Sequence, residues 1–123
     1  MNTEFEEVVR RSFSYDPQEG ILRWKIAPWG KRDLVGMQAG SIDSDGYLCV
    51  VLNSKRLKAH SVIWFLMTSE WPIEIDHLNE DRSDNTWANL DNVTHSENAK
   101  RQHRRRRQRI RDRRAGAKCG TTL

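Results

Sequence analysis

The segment from residue 73 to residue 102, IEIDHLNEDRSDNTWANLDNVTHSENAKRQ, decides the fold of this chain. Residues 73–75 open a short strand, and residues 90–93 form a second one. Between them, positions 78–88 are filled mainly by the turn-forming residues Asn, Asp and Ser. The T-x-x-E sequence at 94–97 is a capping box, which predicts that a helix starts there and runs into the arginines. The segment therefore predicts two short strands followed by a helix.

Upstream of this segment the sequence predicts a helix, a small sheet and a second helix. Residues 4–13 have apolar positions at helical spacing, and AHSVIWFLMTSEW at 59–71 predicts a core helix that ends before Pro72. An antiparallel sheet of about three strands is predicted between these helices. Its strands are ILRWKI (21–26), GYLCVVLN (46–53) and RLKAHS (56–61), with turns at 16–20 and 41–46.

The charge of the chain is divided between an acidic body and a basic end. Of 123 residues, 21 are Lys or Arg and 17 are Asp or Glu, a net charge of +4. Residues 100–123 carry 11 basic residues and one acid, a net +10, whereas residues 1–99 carry 10 basic residues and 16 acids, a net −6. Such asymmetry points to a polyanionic partner, with nucleic acid as the default. The alternative is a solvated tail that binds nothing specific.

Composition argues against several classes of protein. No run approaches the length of a membrane span, and the N-terminus lacks the apolar block of a signal peptide. Cys49 and Cys119 are far apart and form neither a CxxC zinc pattern nor a disulfide framework. We therefore expect a reduced, cytosolic setting and no membrane partner.

Four polar side chains of the first segment suit hydrolysis of a phosphodiester with one bound metal: Asp76, His77, Asn89 and Asn98. A hard divalent cation on oxygen ligands stabilises charge at the phosphate and at the departing oxygen. A neutral imidazole activates water, and an amide oxygen can fix its tautomer. Because a polycation follows directly, DNA cleavage is the leading hypothesis.

Spacing sets conditions on this site. Asp76 and His77 are adjacent, so strand alternation sends them to opposite faces unless the strand ends or twists there. Asn98 and Gln102 are four residues apart and share a helix face. We expect the loop residues Asp81, Asp84 and Asn85 to shape their loop through bonds to the backbone, and His95 to face solvent. His60 is left open between a buried hydrogen-bonder and a DNA contact.

The same positions resemble the HNH endonucleases, whose core is the ββα-metal fold, and in particular their phage and intron-encoded, homing-type branch. That branch typically has DH-x-N-x-D-x-x-x-N-x-x-x-NL-x-x-V-T-x-x-x-N. The matching residues are Asp76-His77, Asn79, Asp81, Asn85, Asn89-Leu90, Val93-Thr94 and Asn98. A looser likeness in YDPQEGILRW, AGSIDSDGY and KAHSVIW extends the resemblance over most of residues 13–102.

The resemblance implies a role for each member of the quartet. His77 is the general base, Asn89 orients it, and Asp76 and Asn98 hold a divalent metal, usually Mg²⁺ with Mn²⁺ as an alternative. The last letter of "HNH" is Asn98 here and not His, which weakens any case for zinc. Whether Gln102 or water completes the metal shell is left open. Double-stranded DNA as substrate, products with 5′-phosphate and 3′-hydroxyl ends, a phage or mobile-element origin and the host cytosol are likewise implied.

The sequence thus predicts a single α+β domain in three parts. Residues 1–60 form an N-terminal helix and small antiparallel sheet, residues 61–102 an HNH catalytic module, and residues 103–123 an arginine-rich tail. The tail is expected to serve affinity and not chemistry, because the quartet ends at Asn98. Predicted nucleic-acid-binding residues are Lys31, Arg32, Arg101, Arg104, Arg105, Arg106, Arg107 and Arg109.

Two other functions remain as alternatives at this point. One is a non-catalytic DNA-binding protein on the same scaffold, which the intact quartet disfavours. The other is an RNA-binding arginine-rich protein, which would leave the quartet unexplained. The sequence does not distinguish nicking from double-strand cleavage, or a monomer from a homodimer.

Overall fold

The computed structural model describes residues 2–28 and 30–120, with side chains described up to residue 115. It is an α+β protein, as predicted, and has three α-helices and three small antiparallel sheets in these ranges. The helices are α1 (Thr3–Ser12), α2 (Ala59–Thr68) and α3 (His95–Gly120). The strands are β1 (Phe13–Asp16), β2 (Ile21–Trp24), β3 (Ser41–Ile42), β4 (Leu48–Leu52), β5 (Lys55–Lys58), β6 (Glu74–His77) and β7 (Leu90–Val93). No helix in the described ranges is both long and apolar enough to span a membrane.

Each helix has a local reason to start or stop. Asn2 caps α1 by accepting a hydrogen bond from the backbone N–H of Phe5 at 2.8 Å. Helix α2 ends at the left-handed Ser69, whose N–H returns to the carbonyl of Phe65 at 2.7 Å. Thr94 caps α3 by accepting from the N–H of Glu97 at 3.1 Å, so the predicted start of this helix is confirmed.

The predicted pairing of the N-terminal strands is wrong in one respect. β2 does not join β4 and β5, but pairs with β1, which the sequence assigned to the end of the first helix and the residues before a turn. β4 pairs with β5 and with the two-residue β3, which was predicted as part of a turn. Pairing partners depend on contacts distant in sequence, whereas the strand pattern itself is local.

One hydrophobic core joins the N-terminal elements to the later ones. It includes Val9 of α1, Leu22 of β2, Val50 of β4, Phe65 of α2 and others on both sides of the predicted division at 60/61. That division falls inside α2, and the division at 102/103 falls inside the uninterrupted α3. The last residues of the predicted tail, 121–123, lie outside the described residues.

The first hairpin packs closely against the loop that joins β6 to β7. Gly20, at φ +73°, has no room for a side chain, because a Cβ there would lie 2.4 Å from the backbone nitrogen of Thr86. Tyr15 donates its hydroxyl hydrogen to the carbonyl oxygen of Asn85 at 2.5 Å. The backbone N–H of Trp87 donates to the carbonyl oxygen of Pro17 at 3.0 Å. The N-terminal part of the chain therefore fixes the conformation of the β6–β7 loop.

Candidate active site

β6, the loop that follows it, Tyr47 and one side of α3 line a polar cavity of about 160 Å³. Asp76, His77 and Asn98 all line it, and so does Gln102. β6 ends at His77, so strand alternation does not keep Asp76 and His77 on opposite faces, and both reach the same cavity. The fourth predicted residue, Asn89, is buried but does not line this cavity.

Asp76 is the most enclosed polar group of the site and is held by two arginines of α3. Its side chain is 1% exposed, and Arg105 grips both carboxylate oxygens, with N–O distances of 2.7 and 2.9 Å. Arg101 donates to one of the same oxygens at 3.0 Å. Burial acts to raise the pKa of the Asp76 carboxyl, but the two guanidinium groups outweigh burial and hold it below its ordinary value. Asp76 is therefore ionised at neutral pH.

His77 is oriented by Asn85. Nε2 of its ring lies 2.9 Å from Oδ1 of Asn85, and both side chains are buried. The side chain of Asn89 makes other bonds: it accepts from the N–H of Asn79 and donates to the carbonyl of Asp84, each at 2.8 Å. The expected contact between Asn89 and His77 is thus replaced by one from Asn85, and Asn89 instead braces the loop.

The sequence analysis gave Asn85 only a role in shaping the loop. The sequence did contain a signal for Asn85 as a site residue, since it is one of the positions of the quoted pattern and follows an Asp in a polar turn. What the sequence could not supply is its direction, which depends on Tyr15 of the first hairpin holding the Asn85 carbonyl.

Two further rings stand beside His77. The ring centroids of His60 and Tyr47 lie 5.1 and 5.9 Å from that of His77, and 5.4 Å from each other. Burial, with smaller contributions from His77 and Lys58, lowers the pKa of His60 to about 3. His60 is therefore neutral at working pH. Its side chain is half-buried, so the choice between its two predicted roles stays open.

Asn98 offers the clearest sign of a ligand. Its side-chain oxygen is buried and has no hydrogen-bond partner among the described residues. Burying an amide oxygen without a partner is costly. Within the described ranges no three His, Cys, Asp or Glu side chains converge as a metal cluster. The oxygen donors that line the cavity are the carboxylates of Asp76 and Glu80 and the amides of Asn98 and Gln102. Such hard oxygen donors fit Mg²⁺ or Mn²⁺ and do not fit zinc.

The arginines of α3 divide into an inward and an outward set. Arg101 also bonds Asp91 at 2.8 Å and Glu97 at 3.2 Å, while Arg109 pairs with Glu80 at the cavity. Glu97 also pairs with Arg104 at 3.4 Å, so its carboxylate forms ion pairs with two arginines of the same helix. Arg106 and Arg107 are exposed and form no ion pair within the described ranges. The arginines of α3 therefore lie on two sides of the helix: one side meets the acidic residues of the body and the other is exposed to solvent.

The remaining predicted DNA contacts, Lys31 and Arg32, lie elsewhere. Both are exposed, and Arg32 lines a separate groove with Lys25 and Val35 that shares no residue with the cavity at His77. The structure does not bring them to the candidate site. A DNA contact at this loop stays a prediction.

β6, β7 and α3 follow one another as a ββα module. Residues 57–100 match the family model of the HNH endonucleases, and this match supports nuclease activity as the general class for this segment. No curated protein and no solved structure gives a significant match to the chain. The matched segment contains the whole quartet and Asn85, whereas Tyr47 and the arginines from Arg101 onward lie outside it.

Proposed function

We propose that this protein is a metal-dependent DNA endonuclease in which His77 is the general base and Asp76 and Asn98 hold one divalent metal. The observation that carries the proposal is the buried, unpartnered oxygen of Asn98 in the same cavity as Asp76 and His77. This polar cavity brings together a carboxylate, an imidazole and an amide oxygen that has no hydrogen-bond partner among the described residues. That combination suits phosphodiester hydrolysis better than a purely structural role.

The bond to Asn85 determines which nitrogen of His77 can act. An amide oxygen only accepts hydrogen bonds, so Nε2 of the neutral ring carries the proton. Nδ1 is then left with a free lone pair and can take a proton from water. Asn85 fixes both the tautomer and the aim of the ring, which is the task first given to Asn89.

The other residues of the cavity bind and orient. A metal held by Asp76 and Asn98 would polarise the phosphate and stabilise the departing 3′ oxygen. Gln102 lines the same cavity, one helical turn after Asn98, and we propose it or water as a further donor. We propose Mg²⁺ or Mn²⁺ as the ion, and duplex DNA as the substrate because Arg106 and Arg107 face outward beside the site. The homing-type branch, the phage origin and the cytosolic setting stay predictions.

Supercoiled plasmid tests this function directly. With Mg²⁺ the protein should convert it to nicked or linear forms, and a chelator should stop the conversion. Retained DNA binding without conversion in Mg²⁺ or Mn²⁺ would replace the enzyme by a non-catalytic DNA-binding protein on the same scaffold.

The role of Asn85 can be separated from that of a loop brace. Asn85→Leu should lower kcat by roughly 10- to 100-fold, the usual cost of losing a side chain that orients a functional imidazole. Asn85→Asp keeps an acceptor oxygen opposite Nε2 and should recover much of that loss. Initial rates of plasmid nicking, with melting temperatures to confirm folding, measure both. Equal losses in two folded variants would show that the acceptor oxygen is not what matters.

The basic end is expected to have two functions, divided near Ile110: the arginines before it hold the site, and the basic residues after it add DNA affinity. A chain ending at Ile110 keeps Arg101, Arg105 and Arg109 at the site, yet loses four basic residues and one acid. It should bind DNA more weakly, with a flatter salt dependence, and still cut at low salt. A chain ending at Gln102 also loses Arg105 and Arg109 and should cut poorly at any salt. This revises the expectation that residues 103–123 serve affinity alone.

Anisotropy titrations and nicking rates over a salt series compare these two chains. Equal cleavage by both at low salt would return the original view, in which the chemistry ends at Asn98. An unchanged salt slope in the chain ending at Ile110 would remove the outer arginines from the DNA interface.

A further inference from the structure

Two arginines line the cavity that holds His77, and they differ in their partners. Arg109 is paired with the carboxylate of Glu80. Arg82 pairs with no carboxylate among the described residues. Its guanidinium lies over the ring of Tyr47, 5.0 Å from the centroid, and donates one hydrogen bond to the carbonyl oxygen of Asp45 at 2.8 Å. A charged group is thus held in place at the cavity with most of its donors uncommitted.

The support beneath Arg82 is itself fixed. Oδ1 of Asp43 accepts from the N–H groups of Asp45 and Tyr47 at 2.9 and 3.0 Å, which closes the turn between β3 and β4. Lys58 of β5 pairs with the other carboxylate oxygen of Asp43 at 2.5 Å. The Asp45 carbonyl and the Tyr47 ring therefore have set positions. This turn lies upstream of the segment that matches the HNH family.

We propose that Arg82 binds a phosphate of the DNA strand that enters the cavity, and that Asp45 and Tyr47 position it for this task. The inference rests on the proposed function and extends it to the contact with substrate. A guanidinium has five N–H donors in a planar fork that matches two phosphate oxygens. One donor is used by Asp45, and stacking on Tyr47 limits the motion of the group without neutralising it. Every other arginine that touches the cavity or Asp76 already has a carboxylate partner.

DNA binding measured in chelator tests this contact apart from chemistry. Arg82→Gln should flatten the log–log salt slope on a short duplex by about 0.9. For a variant that matches the wild type at 1 M salt, this slope corresponds to roughly eightfold weaker binding at 0.1 M. Arg11→Gln is the matched control, because Arg11 is exposed in the last turn of α1 and carries the same charge. It should leave the slope near that of the wild type. A slope change in Arg82→Gln no larger than in Arg11→Gln overturns the proposal.

Two Tyr47 variants test the positioning. Tyr47→Phe keeps the ring under Arg82 and should bind DNA like the wild type. Tyr47→Leu removes the ring and should weaken binding by part of the Arg82→Gln effect, and it should add little when combined with Arg82→Gln. Full additivity of Tyr47→Leu and Arg82→Gln would show that Tyr47 does not act through Arg82.

The outcomes also separate this inference from the nuclease proposal. A protein that never cuts DNA, but whose Arg82→Gln variant loses one unit of salt dependence, would sink the nuclease and leave the phosphate contact standing. An active nuclease in which Arg82→Gln and Arg11→Gln bind equally well would do the reverse.

Discussion

Replacing His77 with alanine should lower the rate of DNA cleavage by about 10²- to 10⁴-fold, the range for losing a general base. His77 is buried at the end of β6, and its Nε2 is held by Asn85. DNA binding should therefore survive the change, because the ring is placed to take a proton and not to neutralise phosphate. Initial rates of plasmid nicking and anisotropy in chelator measure the two quantities separately.

His95 gives the matched control for this substitution. It lies at the start of α3, its side chain is 91% exposed, and among the described residues it bonds only Glu74. His95→Ala should therefore cut at the wild-type rate. Cleavage by His77→Ala within a few-fold of the wild type would mean that another group takes the proton. His60, the neighbouring ring, would then be the first residue to replace next.

The elements around the site were predictable because their sequence patterns are local. A capping box, a polar turn and two short runs of strand-forming residues lie within 30 consecutive positions, so α3, β6 and β7 followed from the sequence. β1 was missed because FSYD continues the apolar spacing of the helix before it. Its strand conformation is stabilised by pairing with β2, a contact that no local pattern contains.

The partners of the charged side chains were less predictable than the chain path. The acidic body and basic end suggested two separate charges, yet Asp76, Asp91, Glu97 and Glu80 are each paired with an arginine of α3. Part of the basic end thus neutralises carboxylates of the body and is not free for DNA. Composition reports only the sum of charges, whereas pairing depends on which helix face meets β6.

Asp76→Asn should have opposite effects on cleavage and on DNA binding. Cleavage should fall by at least about 10²-fold, since Asp76 is the only carboxylate of the quartet and an amide is a weaker ligand for a hard cation. Binding should become tighter, because Arg105 has no other carboxylate partner among the described residues, whereas Arg101 keeps Asp91 and Glu97. One released arginine that reaches phosphate should steepen the salt slope by about 0.9.

If Asp76 holds a divalent metal as proposed, Arg105 and that metal should compete for it, since both oxygens of this carboxylate already accept guanidinium hydrogen bonds. Arg105 would then be freed for phosphate when Asp76 binds a metal, so metal and DNA should each strengthen the binding of the other. Mn²⁺ titrations with and without duplex DNA, using His77→Ala to prevent cleavage, measure this coupling.

Asp112→Asn is the charge-matched control, because its carboxylate bonds Gln108 and releases no arginine. Unchanged Mn²⁺ affinity in Asp76→Asn would exclude Asp76 as a ligand. Tighter DNA binding that persists when Arg105→Gln is added would show that the gain comes from net charge and not from Arg105.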